Sequence, residues 1–86
     1  MKEEELIALG FEKCFGEPDE PDWYYFTYDF GNGGFSLITN ASDELVDGKW
    51  VVEIFEESSI RFTKLADLVQ LMTIINSNIV KEKQNI

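Results

Sequence analysis

Seventeen carboxylates, a single thiol and no histidine set the chemistry open to this chain. Without imidazole there is no Ser–His or Cys–His nucleophile pair, and the commonest general base and metal ligand are missing. Cys14 has no base beside it in the sequence and reads as a small strand residue. One cysteine cannot assemble a structural zinc site, which needs a full tetrahedral set of nitrogen or sulfur ligands. Carboxylates can work in pairs, as Glu53 with Glu56 or Asp29 with Asp43 would, but a chain this rich in acids produces such pairs by chance. The run from Asp43 to Gly48 places glycine where a calcium loop has its sixth residue. Leu45 and Ile54 then fall on ligand positions that they cannot fill. Asp19-Glu20-Pro21-Asp22 offers oxygen ligands for a weak calcium site and nothing more specific. Gly31-Asn32-Gly33-Gly34 lacks the lysine of a phosphate-binding loop and is followed by a strand pattern, so it reads as a hairpin turn. No catalytic residue, cofactor or metal is expected.

The chemistry that remains is recognition. Trp23 and Tyr25 alternate with the apolar face of an aromatic segment and follow directly on Asp19, Glu20 and Asp22. Exposed Trp and Tyr rimmed by charge are the composition of a protein-binding patch. The net charge of −10 is unevenly spread: residues 1–57 carry fifteen acids and three bases, residues 58–86 two acids and four bases. Such a surface repels a phosphate backbone and attracts a basic protein surface. The partner-binding residues expected on this basis are Asp19, Glu20, Asp22, Trp23, Tyr25, Asp43, Glu44 and Asp47. Trp50 joins them if its side chain faces outward. The plainer reading is that the acids only keep a small protein in solution.

The elements that must position these residues follow from periodicity. Eighty-six residues suit one domain, spanning residues 1–86, with no repeat or linker to divide it. One cysteine excludes an intramolecular disulfide, and no apolar run has the length of a signal peptide or a membrane span. A cytoplasmic protein is therefore expected, with no membrane partner, and the Asn40-Ala41-Ser42 glycosylation triplet is read as chance. A short helix is predicted over residues 2–9, with Gly10 as its stop and Leu6, Ile7 and Leu9 toward the core. A strand follows from Phe11 to Phe15. Residues 17–22, with two prolines and four acids, read as a loop. Trp23 to Phe30 is the strongest strand, with Tyr24, Phe26, Tyr28 and Phe30 on the core face. It returns as Phe35 to Asn40. Ala41 to Lys49 is a polar loop with an Asp47-Gly48 turn that leaves Leu45-Val46 as a short strand extension. Trp50 to Glu56 is a further strand, and Ile60 to Phe62 a short edge strand.

The last element is an amphipathic helix, capped by Thr63. Its stripe runs through Leu65, Leu68, Val69, Met72, Ile75 or Asn76, and Ile79, and is widened by Leu71 and Ile74. The fold class expected is α+β: an antiparallel meander of four to five strands, a C-terminal helix packed on one face and a short N-terminal helix.

Four segments, Leu9-Gly10-Phe11, Phe35 to Asn40, Trp50 to Phe55 and Ile60 to Thr63, together give the chain a pattern that resembles small uncharacterised acidic proteins of Bacteroidetes-type bacteria and their phages and mobile elements. The resemblance brings no catalytic residues to transfer. Small acidic phage-borne proteins of that general kind include anti-CRISPR and other anti-defence inhibitors. The resemblance adds to the inhibitor reading, and the acidic surface supplies the rest: a non-enzymatic inhibitor or adaptor docking on a basic, nucleic-acid-binding partner such as a defence nuclease is expected. The alternatives are a housekeeping domain that pairs as a homodimer through its exposed strand face, or a small calcium-binding or carboxylate-dependent enzyme.

Overall fold

Phe26 lies at the middle of the aromatic segment and has no solvent exposure. Around it, a computed structural model describes the chain at residues 1–17, 20–31 and 35–79, with side chains at all of these but 17, 20 and 21. The elements in order are α1 (Glu3–Ala8), β1 (Glu12–Glu17), β2 (Glu20–Asp29), β3 (Ser36–Thr39), a 3-10 turn (Ser42–Glu44), β4 (Val52–Ile54), β5 (Glu57–Phe62) and α2 (Leu65–Asn78). The five strands form one antiparallel sheet in the order β1-β2-β3-β4-β5. The α+β meander is the one the strand alternation requires.

Period-two alternation divides the sheet into two faces. Phe26, Leu37 and Val52 point to the helical side and are fully buried with Leu6 of α1 and Leu68 of α2. Phe11, Phe30, Trp50 and Met72 complete this core. The opposite face carries a row that crosses all five strands, Glu12–Thr27–Ile38–Glu53–Arg61, and among the described residues neither α-helix packs on it.

Helix α1 stops as its glycine demands. Gly10 has φ 101°, Phe11 N–H donates to Leu6 O at 3.1 Å, and Gly10 N–H donates to Ile7 O at 3.0 Å. These are the paired bonds of a left-handed helix cap. Glu5 accepts from the Lys2 backbone N–H at 2.8 Å at the other end. Of the three residues expected in the core, Leu6 is sealed, Leu9 half-buried and Ile7 exposed.

Several boundaries differ from expectation. Residues 17 and 20–22 are not a loop: β1 runs through Glu17 and β2 begins at Glu20, with Glu17 opposite Glu20. Pro21 is tolerated because this end of β2 has no strand on its β3 side, where pairing starts only at Thr27. The first strand begins at Glu12, with Phe11 turned into the core ahead of it. Phe15 shares the face of Lys13 but is 57% exposed, because β1 is the sheet edge. The strand expected over residues 50–56 is only Val52–Ile54, whereas the edge strand is longer than Ile60 to Phe62 and starts at Glu57. Leu45-Val46 contributes a single bridge, Val46 to Lys49, across the Asp47-Gly48 turn, whose positive φ angles of 58° and 70° are those of a two-residue hairpin turn. Of the turn expected at residues 31–34, residues 32–34 lie outside the described residues. Its first residue, Gly31, has φ 84°, and its N–H donates to Asp29 Oδ1 at 2.7 Å.

Thr63 does not cap α2. Pairing of Phe62 with Val52 keeps the chain extended past Thr63, so the cap position falls on Lys64, with no side-chain bond to the first turn. Leu68 and Met72 anchor the helix, with Leu71, Ile75 and Ile79 half-buried against the core, while Leu65 is half-buried without joining that cluster. Val69, Asn76 and Ile74 are exposed, Ile74 at 55%, so the buried stripe is narrower than the sequence pattern suggests.

Candidate binding groove

The uncovered face acquires its shape from a split in the sheet. Between Thr27 and Asp29, β2 is bonded to β3 strand to strand, but further toward its N-terminus β3 departs. Two hydroxyls close the gap. Thr39 Oγ1 accepts from Phe26 N–H at 2.9 Å and donates to Asn40 O at 2.9 Å, and Ser42 Oγ accepts from Tyr24 N–H at 3.0 Å. Asn40 Oδ1 accepts from Val51 N–H at 3.1 Å, so the departing segment stays tied to β4. The backbone donors that a ladder would satisfy are met by side chains, and the space a strand would fill is left as a groove.

The groove is an open depression of about 580 Å³. It is lined by Trp23 and Tyr25 of β2, Ile38 and Thr39 of β3, Asn40 and Ala41 after it, Asp43 and Glu44 of the 3-10 turn, and Glu53 of β4. The two rings are 6.1 Å apart at a tilt of 31°. Trp23 is seated on Gly16 of β1: a methyl group there would overlap Cζ2, Cε2 and Cη2 of the indole. The bare glycine is therefore what lets the ring lie flat on the sheet. Both rings are half-buried, so each keeps an accessible surface.

The carboxylates differ in their engagement. Glu53 Oε2 lies 3.2 Å from Arg61 Nε. Glu44 Oε1 accepts from Ala41 N–H at 3.3 Å and steadies the 3-10 turn. Asp43 is exposed and makes no ion pair among the described residues. Among the described residues, neither lysine nor arginine lines the groove.

Four of the residues expected to bind a partner, Trp23, Tyr25, Asp43 and Glu44, meet here. Asp22 is exposed on β2 outside the groove, and Asp47 is exposed in the turn between Val46 and Lys49. Glu20 lies in β2 opposite Glu17, and Asp19 falls outside the described residues. Trp50, by contrast, is 2% exposed and packs edge-on against Phe26 at 5.1 Å, so it belongs to the core. The groove also uses Ile38, Asn40 and Glu53, which sequence reading missed. Ile38 and Glu53 were signalled by their off-core place in the alternation; Asn40 had no such signal.

Reactive groups do not converge in it. Cys14 sits 3.6 Å from Thr27 Oγ1, outside the groove. Among the described residues no three His, Cys, Asp or Glu side chains come together as a metal site, and no helix is long and apolar enough to cross a membrane. The class this defines is an α+β domain whose open sheet face presents an acidic, aromatic-walled groove. Compared with family models, curated proteins and solved structures, the chain finds no significant match.

Proposed function

We propose that this chain is a non-enzymatic protein-binding inhibitor or adaptor whose acidic surface docks on a basic, nucleic-acid-binding partner of the anti-defence target type, such as a nuclease. The observation that carries the reading is the groove itself. Two half-buried aromatic rings and the carboxylates Asp43, Glu44 and Glu53 line one concavity, and none of its described lining residues is a lysine or arginine. Aromatic anchors ringed by charge are the usual energetic centre of an interface. Carboxylates on the rim would take the place of phosphates on the partner and steer its approach.

Capture from a host lysate, followed by competition, tests this. The expected partner is a basic protein whose complex weakens as salt rises and is displaced by duplex nucleic acid. A partner that holds duplex and this chain at once would contradict the mechanism, as would the absence of any salt-sensitive partner.

A second reading has one observation in its favour. Phe15 is 57% exposed on β1, whose outer side has no partner strand among the described residues. Two copies pairing along that edge would cover it. Sedimentation at rising concentration separates the readings: a stable symmetric dimer supports this one, and a monomer rejects it.

A further inference from the structure

We infer that the groove is built to take one arginine side chain from the basic partner, its guanidinium lying on the Trp23 and Tyr25 rings and its N–H groups reaching the Asp43 and Glu44 carboxylates. The inference rests on the binding reading above and specifies the contact at its centre.

Charge complementarity makes the occupant cationic. Asp43, Glu44 and Glu53 line the groove, and among the described residues the one ion pair any of them makes is that of Glu53 with Arg61. The walls restrict the cation further. The Trp23 and Tyr25 rings lie side by side in the lining, 6.1 Å apart and tilted by 31°, and Ile38 adds an apolar side chain to it. A planar, weakly hydrated guanidinium on an aliphatic stem matches such a slot. It stacks on rings and pairs with carboxylates through several donors at once, whereas a lysine ammonium is a compact and strongly hydrated point charge.

The other face of the same sheet shows the principle within this chain. Lys13 Nζ lies 4.1 Å from the centroid of the Tyr24 ring and 3.6 Å from Glu3 Oε2, so one cation is held by a ring and a carboxylate together. The groove brings the same two kinds of group together, with Trp23 and Tyr25 as the rings and Asp43 and Glu44 as the carboxylates.

The test is a titration of the isotope-labelled chain, followed by NMR, with the blocked peptide Gly-Arg-Gly. The same peptide with lysine, and with citrulline as the uncharged isostere, serve for comparison. Saturable shifts are expected at the Trp23 indole N–H, at Tyr25 and at the Asn40 amide, weaker with lysine and absent with citrulline. Asp43→Asn with Glu44→Gln should weaken the arginine peptide about tenfold. Both side chains are exposed, and glutamine keeps the oxygen that bonds Ala41, so the fold should persist. Trp23→Leu provides a second variant, expected to lose the shifts while α2 resonances stay in place. Equal shifts from citrulline, a preference for lysine, or shifts outside the groove would overturn the inference. A basic polypeptide that binds in a salt-sensitive way but leaves the groove resonances unmoved overturns it while leaving the acidic-surface reading standing. Absence of any binding to that polypeptide removes both.

Discussion

At the level of single residues, hydroxyls and one glycine shape the groove. Thr39 is 7% exposed, and its Oγ1 is the partner of a buried backbone donor, Phe26 N–H. Thr39→Val keeps the shape and removes the acceptor, which should cost about 1–3 kcal/mol, as expected for a buried group left without a partner. Urea unfolding measures this; a loss well under that range would mean that β2 and β3 close on each other without the hydroxyl. Gly16→Ala acts on the groove directly, because the added methyl group occupies the space of the indole. The expected result is a displaced Trp23, seen as an altered indole N–H resonance and weaker partner binding, with the core around Phe26 unchanged. Tyr24 contributes a pH dependence. Its phenol donates to Glu3 Oε1 at 2.7 Å, and this bond, then burial, then the carboxylate's charge, raise its pKa above the ordinary 10.0. The folded chain thus holds the neutral phenol more firmly than the unfolded chain does. That stabilisation is fully present below the ordinary value and is lost as pH rises through the folded one. Tyr24→Phe should remove this alkaline loss, measured as the difference in unfolding midpoint between the two proteins as pH is raised past 10.0.

Among the elements, α2 holds the sheet in shape. Leu68 is fully buried among strand residues, so Leu68→Ala should destabilise the protein by about 2–5 kcal/mol through lost burial and the cavity left behind. Thr63→Ala should have almost no effect, since Thr63 is exposed and bonds nothing at the start of α2. The pair of measurements, by thermal unfolding, tells a helix secured by packing from one secured by its cap. The helix, the aromatic strand and the meander were legible because each rests on a strong local period. Residues 17 and 20–22 were not. Two prolines and four acids in the run from Glu17 to Asp22 argue against a ladder, and only the lack of a neighbour on the β3 side of early β2 makes them compatible with one. The early end of β3 has the same origin: nothing local to Asn40 announces that its side chain will replace a strand contact at Val51.

For the molecule as a whole, the sequence located the aromatic half of the groove better than the acidic half. Alternation put Trp23 and Tyr25 on the face away from Phe26, and that is where they lie. Asp43 and Glu44 reach the same groove only because β3 peels away and a 3-10 turn folds back over β2, a three-dimensional event with no sequence period. Asp47, close in sequence and alike in charge, is carried off by its own turn. Net charge alone therefore does not locate the groove, which is where rings and carboxylates coincide. The most direct measurement is calorimetric titration of the chain with an arginine-rich polypeptide at low and high ionic strength, beside the variant that combines Asp43→Asn with Glu44→Gln. Binding that weakens with salt and falls about tenfold in the variant is the predicted result. Binding of equal strength in the two proteins, or indifferent to salt, would contradict it.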